Sequence, residues 1–216
     1  MAVLRQIRWG TYLVAFVISV LLFTTGILIG TQLVQTVNAG LENDLQSLRS
    51  RTAELELLML LKEDNSTELC GFYQGQLQEF DVQTTAFGQK LDILEKNRGR
   101  GDEAVLELKR EYMLMEVRDF LLVKKINEGC PQKIDTMLYF YSNTNCPDCE
   151  RQGEIGPPLK QEKPDLMIYA FDADLQVSVV NALMHLYSVK EYPALVVNGK
   201  TLEGYRSKEE VKNYLP

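Results

Sequence analysis

Cys146 and Cys149 are separated by Pro147 and Asp148, and this Cys-Pro-Asp-Cys run constrains the chain more than any other feature. Two intervening residues set the cysteines one helical turn apart, within reach of a shared bond. Pro147 suits the first position of a helix, where its missing N–H costs nothing and its fixed φ is already helical. Cys146 is then the N-cap. The free amides and the positive end of the helix dipole favour its thiolate over its thiol, which makes it the attacking group, and Cys149 would resolve a mixed disulfide. The whole chain holds four cysteines and one histidine, too few for a cysteine-stapled scaffold or a His-rich metal site. A Cys-x-x-Cys pair alone is also half of many zinc sites.

Context decides between those readings. Residues 134–142 are rich in aromatic and β-prone side chains and lead through the polar turn Asn143-Thr144-Asn145 into the cysteines. Residues 166–171 read as a buried strand, 175–187 as a helix and 193–197 as a strand. Asn198-Gly199 reads as a hairpin turn, 201–205 as the return strand and 207–215 as a closing helix with a Ser207/Glu210 capping box.

That β-α-β-α-β-β-α order, with C-P-x-C after the first strand and Tyr192-Pro193 opening the third, resembles the thioredoxin superfamily over residues 133–216. The resemblance implies an α/β thioredoxin-like fold with Cys146 and Cys149 catalytic. It also implies a cis proline at Pro193 that, with Tyr192, binds an extended substrate chain beside the dithiol. Pro147 and Asp148 tune the site. Thioredoxins carry a buried Asp six residues before the first cysteine and a Trp immediately before it, where this chain has Phe140 and Asn145. The kinking proline after the second cysteine is displaced to Pro157-Pro158, behind Gly153 and Gly156, which predicts a broken first helix. An acidic residue between the cysteines predicts a potential below that of strong oxidases, between about −180 and −270 mV.

The first part of the chain reads differently. No charged residue lies between Trp9 and Leu41, and residues 12–34 are almost continuously apolar, enough for a bilayer span. Arg5 and Arg8 precede the run, while Glu42 and Asp44 follow it. The expectation is therefore a cytoplasmic tail (1–8), a transmembrane helix (9–37), an extracytoplasmic helical region (38–130) and a thioredoxin-like domain (131–216) on a single-pass membrane protein. A cleaved signal peptide, with Val37-Asn38-Ala39 at the cut, exports the same domain. Gly26 and Gly30 form a GxxxG that would allow a homodimer through the transmembrane helix and stalk.

Leu41, Leu45, Leu48, Leu55 and Met59 predict an amphipathic helix over residues 39–62, packed either on its own chain or in a coiled coil. Residues 72–94 and 103–126 follow as further helices, the last with an apolar stripe through Val105, Leu108, Tyr112, Met115, Phe120 and Val123 and many charges between. Asn65-Ser66-Thr67 is a glycosylation triplet. Cys70 and Cys130 read as a structural disulfide tying stalk to domain, with two free thiols or a regulatory pair as alternatives; the disulfide would contribute about 4 kcal/mol in the chain-entropy model.

Charge narrows the partners: 23 basic against 30 acidic residues give −7, which argues against nucleic acid. The expected function is a thiol–disulfide oxidoreductase acting on exported protein thiols and disulfides, regenerated by a membrane or soluble redox partner. No dissociable cofactor and no metal is called for. The alternatives are a non-catalytic binding or structural module and a metal carrier using the Cys-Pro-Asp-Cys thiolates.

Overall fold

The computed structural model describes residues 9–60 and 70–216, with the side chains of residues 11, 29–39 and 59–60 outside the description. Three long helices come first: α1 (Trp9–Leu60), α2 (Cys70–Arg98) and α3 (Glu103–Gly129). They are followed by β1 (Thr136–Tyr141), α4 (Pro147–Gly153), α5 (Gly156–Glu162), β2 (Met167–Asp172), α6 (Ser178–Leu186), β3 (Ala194–Val197), β4 (Lys200–Glu203) and α7 (Lys208–Lys212). The chain divides into two compact units, Met1–Asn43 and Asp44–Pro216.

In the first unit, α1 exposes the apolar side chains described between residues 9 and 28, Trp9, Phe16, Leu22 and Phe23 among them. The Thr24 and Thr25 hydroxyls turn back onto carbonyls of residues 20–22. Among the described residues no helix is long and apolar enough to cross a membrane. This corrects the expected transmembrane helix over 9–37 and the single-pass membrane location built on it. The expected cytoplasmic tail, Gly30 of the GxxxG and the glycosylation triplet lie outside the described residues or side chains.

The second unit centres on a four-stranded mixed sheet in the order β2-β1-β3-β4. β1 runs parallel to β2 and antiparallel to β3, and β3 and β4 form a hairpin. The turn is Asn198-Gly199, with φ of 49° and 84°. Positive φ at both central residues matches the right-handed strand twist, and asparagine and glycine tolerate it at least cost. One face of the sheet packs Met137, Leu195 and Val197 against Leu159 of α5 and Val211 of α7. On the other face the Phe140 and Phe171 rings lie 5.4 Å apart, and Tyr169 meets Phe120 of α3 edge-on at 5.8 Å.

The free edge of β2 is covered by α3. The Ala170 N–H donates to the Glu116 carboxylate at 3.3 Å and the Asp172 N–H to the Met113 sulfur at 3.2 Å. An unpaired strand edge is an invitation to aggregation, and a helix carrying acceptors at that spacing closes it. Lys109, Glu116 and Asp119 are thus 2–6% exposed, although in sequence they pass for the solvated charges of an amphipathic helix. α2 locks onto α3 through the stacked Phe87 and Tyr112 rings, 5.2 Å apart. Gly88 makes room for Tyr112, because a Cβ there would lie 2.8 Å from the phenol oxygen.

These contacts overturn the expected architecture. The molecule is mostly helical with a small mixed sheet, and it is not a thioredoxin-like fold preceded by a transmembrane helix and a separate stalk. The physical reason is that α2 and α3 do not stand off from the strands. α3 packs Phe120 on the sheet face and supplies the acceptors for its edge, and α2 is tied to α3 and the sheet through Lys109.

Asp119 gives this packing a pH signature. Burial pushes its carboxyl up to about 7, partly opposed by the hydrogen bond from Tyr169 at 2.6 Å and reinforced by Asp81; Glu116, one turn away on the same face, is also raised by burial. Between the ordinary carboxylate range and pH 7 the folded state holds a proton that the unfolded chain has lost, so stability falls as pH rises. Asp119 alone should remove about 1 kcal/mol between pH 6 and 8. Urea denaturation at the two pH values should show that fall, and Asp119→Asn should flatten it.

Candidate active site

α4 begins where the first cysteine stands. Cys146 is its N-cap and Pro147 its first residue. The preceding Asn145 has φ 51°, a left-handed turn that asparagine tolerates. Cys146 and Cys149 are joined, with Cα atoms 5.2 Å apart. Cys146 is half-buried, whereas Cys149 is 3% exposed. The Ser142 N–H donates to the Cys149 sulfur at 3.5 Å, and the Tyr139 hydroxyl donates to the Cys149 carbonyl.

α4 is fixed from below by Gln152. Its side-chain amide donates to the Arg206 carbonyl at 3.1 Å and accepts from the Arg206 N–H at 2.7 Å. Arg151 lies 4.1 Å over the Tyr205 ring and pairs with Asp148 at 2.8 Å, so the acidic residue between the cysteines has a cation beside it. α4 ends at Gly153 and α5 starts at Gly156, with Pro157 in its first turn.

The loop before Cys146 is tied to two aspartates, Asp172 at the end of β2 and Asp174 just past it. Asp174 accepts from the Ser142 hydroxyl and the Asn143 N–H, both at 2.8 Å, and from the Thr144 hydroxyl at 3.2 Å. Burial alone would raise its carboxyl, but these hydrogen bonds outweigh that and hold it below the usual range. The Asn143 amide donates to Asp172 at 2.6 Å, and the ammonium of buried Lys109 meets the same oxygen at 2.7 Å. Lys109 also reaches Glu95 of α2 at 3.0 Å.

Above the disulfide lies a cavity of about 450 Å³. Its floor is Tyr139, Tyr141, the 142–145 loop and the two cysteines, and its opposite wall is Asp92, Glu95, Lys96 and Arg100. The Tyr139 and Tyr141 rings stack 5.2 Å apart. Burial pushes both Tyr139 and Tyr141 well above the ordinary phenol range, so both are neutral.

Tyr192 and Pro193 are joined by a cis bond. The β1/β3 register pairs Phe140 with Ala194, which brings Pro193 to the end of β1 from which the 142–145 loop leaves. Neither residue lines the cavity; the Tyr192 hydroxyl donates to the Met184 sulfur at 3.2 Å, and Pro193 is buried. Cys70 and Cys130 form a second disulfide, with Cα atoms 5.8 Å apart and both residues buried. It joins the start of α2 to the end of α3.

Sequence reasoning passed over Lys109, Asp172, Asp174, Arg100 and Gln152. A signal existed for the first two: Lys109, Tyr112, Glu116 and Asp119 recur at helical spacing on one face, and Asp172 closes an apolar strand. Nothing in sequence brings Arg100 to the cysteines. Among the described residues no group of three or more His, Cys, Asp or Glu is placed to hold a metal ion.

No family model and no curated protein matches the chain. A solved structure titled "Structure of a malarial protein" is similar at 19% identity, covering 38% of this chain and 94% of its own, with a TM-score of 0.32. A likeness that slight carries no argument.

Proposed function

We propose that the chain is a protein thiol–disulfide oxidoreductase working through Cys146 and Cys149. One observation carries the reading: half-buried Cys146 stands at the N-cap position of a helix at the floor of an open cavity, with Cys149 buried behind it. The Cys70–Cys130 pair is closed off in the core and fits a purely structural bond.

In the oxidised protein a partner thiolate RS⁻ attacks the Cys146 sulfur. A mixed disulfide forms, the Cys146–Cys149 bond breaks, and Cys149 leaves as a thiolate held by the Ser142 N–H. A second RS⁻ attacks the partner sulfur of the mixed disulfide and releases RSSR. Two electrons have passed to the protein, and two protons end on Cys146 and Cys149. Run in reverse, the Cys146 thiolate attacks a substrate disulfide and Cys149 resolves the product. The dithiol is itself the redox centre, and a separate redox partner must regenerate it.

The test is catalysis of exchange between glutathione disulfide and a dithiol peptide, followed by mass. A rate rising in proportion to protein concentration is expected. A rate no higher than that of the uncatalysed mixture would point instead to a binding module whose Cys146–Cys149 bond is static.

A further inference from the structure

The wall opposite the disulfide is made by the last two turns of α2 and the turn into α3. Arg100 reaches from that turn to both flanks of the Cys-Pro-Asp-Cys run: its guanidinium donates to the Asn143 carbonyl at 3.4 Å and to the Glu150 carboxylate at 3.2 Å. The wall is not a loose lid. The buried Lys109 bridges Glu95 of α2 to Asp172 under the active loop, and the stacked Phe87 and Tyr112 hold α2 to α3. The turn itself is closed by the Gly99 N–H on Glu95 O at 2.8 Å and the Asp102 N–H on Gly99 O at 3.2 Å.

The charges on the wall are already engaged. Lys96 pairs with Asp92 at 2.6 Å, Glu95 with Lys109 and Arg100 with Glu150. The wall therefore contributes shape to the site more than field.

We propose that α2 and the α2–α3 turn act as a fixed steric filter over Cys146, with Arg100 as the residue that narrows its mouth. The partner it admits is a cysteine thiol on a carrier no thicker than a single extended chain, either a low-molecular-weight thiol or an unstructured peptide segment, and not a cysteine on a folded surface. This rests on the oxidoreductase reading and specifies its substrate class. An exposed ion pair such as Arg100–Glu150 adds little to stability, so Arg100 can be changed without unfolding the wall.

The test uses the oxidised full-length chain and three reductants compared at equal thiolate concentration: β-mercaptoethanol, a short cysteine peptide, and the same peptide set in an exposed loop of a small folded domain without other cysteines. Reduction is read by alkylation and mass. The first two should react readily, and the folded carrier about tenfold or more slowly than the free peptide, since access enters the exchange rate directly. Arg100→Ala should speed the folded carrier several-fold more than it changes the rate with β-mercaptoethanol. Equal rates for free and folded peptide in the unaltered chain, or an Arg100→Ala effect equal for all three reductants, would overturn the filter while leaving the oxidoreductase reading standing. Failure of all three to reduce the pair would instead remove the reading on which the filter rests.

Discussion

Cys149→Ser is expected to accumulate a stable mixed disulfide with thiol partners through Cys146, whereas Cys146→Ser should form none. The difference follows from where the sulfurs lie. Cys146 borders the cavity as the N-cap of α4, and Cys149 is 3% exposed behind it, its sulfur held by the Ser142 N–H. Only Cys146 can be reached by an incoming group, and only Cys149 is placed to resolve the product. Loss of Cys146 should lower exchange to the uncatalysed solution rate, because the attacking group itself is gone. Loss of Cys149 should allow one half-reaction and block the second. Mass spectrometry of each variant after incubation with a cysteine peptide disulfide reads both outcomes. An adduct of equal yield on Cys149 in the Cys146→Ser protein would mean that the buried sulfur is accessible and the assigned roles are wrong.

Lys109→Met should be among the most damaging single changes outside the cysteines. Lys109 is 6% exposed, and its ammonium sits between Asp172 at 2.7 Å and Glu95 at 3.0 Å. Methionine fills the volume but leaves two carboxylates facing a gap without their cation, Asp172 being 2% exposed. Breaking a buried pair from one side costs about 3–5 kcal/mol, because the remaining charge has lost both water and partner. A unit of this size should then melt about 10 °C lower. Lys109→Met combined with Asp172→Asn should recover part of the loss, since the amide leaves less charge uncompensated. The change should also reach the active site, because Asp172 holds the Asn143 side chain at 2.6 Å. Urea titration gives the stability, and the exchange rate of the folded fraction gives the effect on the loop. A loss below about 1 kcal/mol would show that this network does not hold α3 to the sheet.

The sequence made local structure legible and tertiary structure much less so. The aromatic and β-prone run over residues 134–142 and the apolar run over 193–197 mark strands, Asn198-Gly199 marks the hairpin, and the Ser207/Glu210 capping box is present at the start of α7. The glycines and prolines after Cys149 mark the break between α4 and α5. These are signals within a few residues of their effect. The fold class was not legible, because it depends on what α2 and α3 pack against. Lys109, Glu116 and Asp119 are charged and interspersed with apolar residues, so periodicity alone reads the helix as a stalk with a wet face. Their partners, Asp172, the Ala170 N–H and Tyr169, lie some 50–60 residues away.

The candidate site divides in the same way. Cys146, Pro147 and Cys149 stand out because their chemistry needs a fixed spacing on one helix. The wall over them comes from residues 92–100, about 50 residues upstream, and Arg100 lies in a Gly-Arg-Gly turn with the composition of an ordinary loop. Asp174 sits two residues past a strand end, where an acidic side chain has no distinguishing local pattern.

The most direct measurement is a redox titration of the full-length chain in glutathione and dithiothreitol buffers, with thiols alkylated and counted by mass. The expected result is a reversible two-electron couple at Cys146–Cys149, between about −180 and −270 mV. Cys146 should alkylate ahead of Cys149, and the buried Cys70–Cys130 bond should stay intact through the transition. A Cys146–Cys149 bond that resists reduction until the protein unfolds would contradict the account.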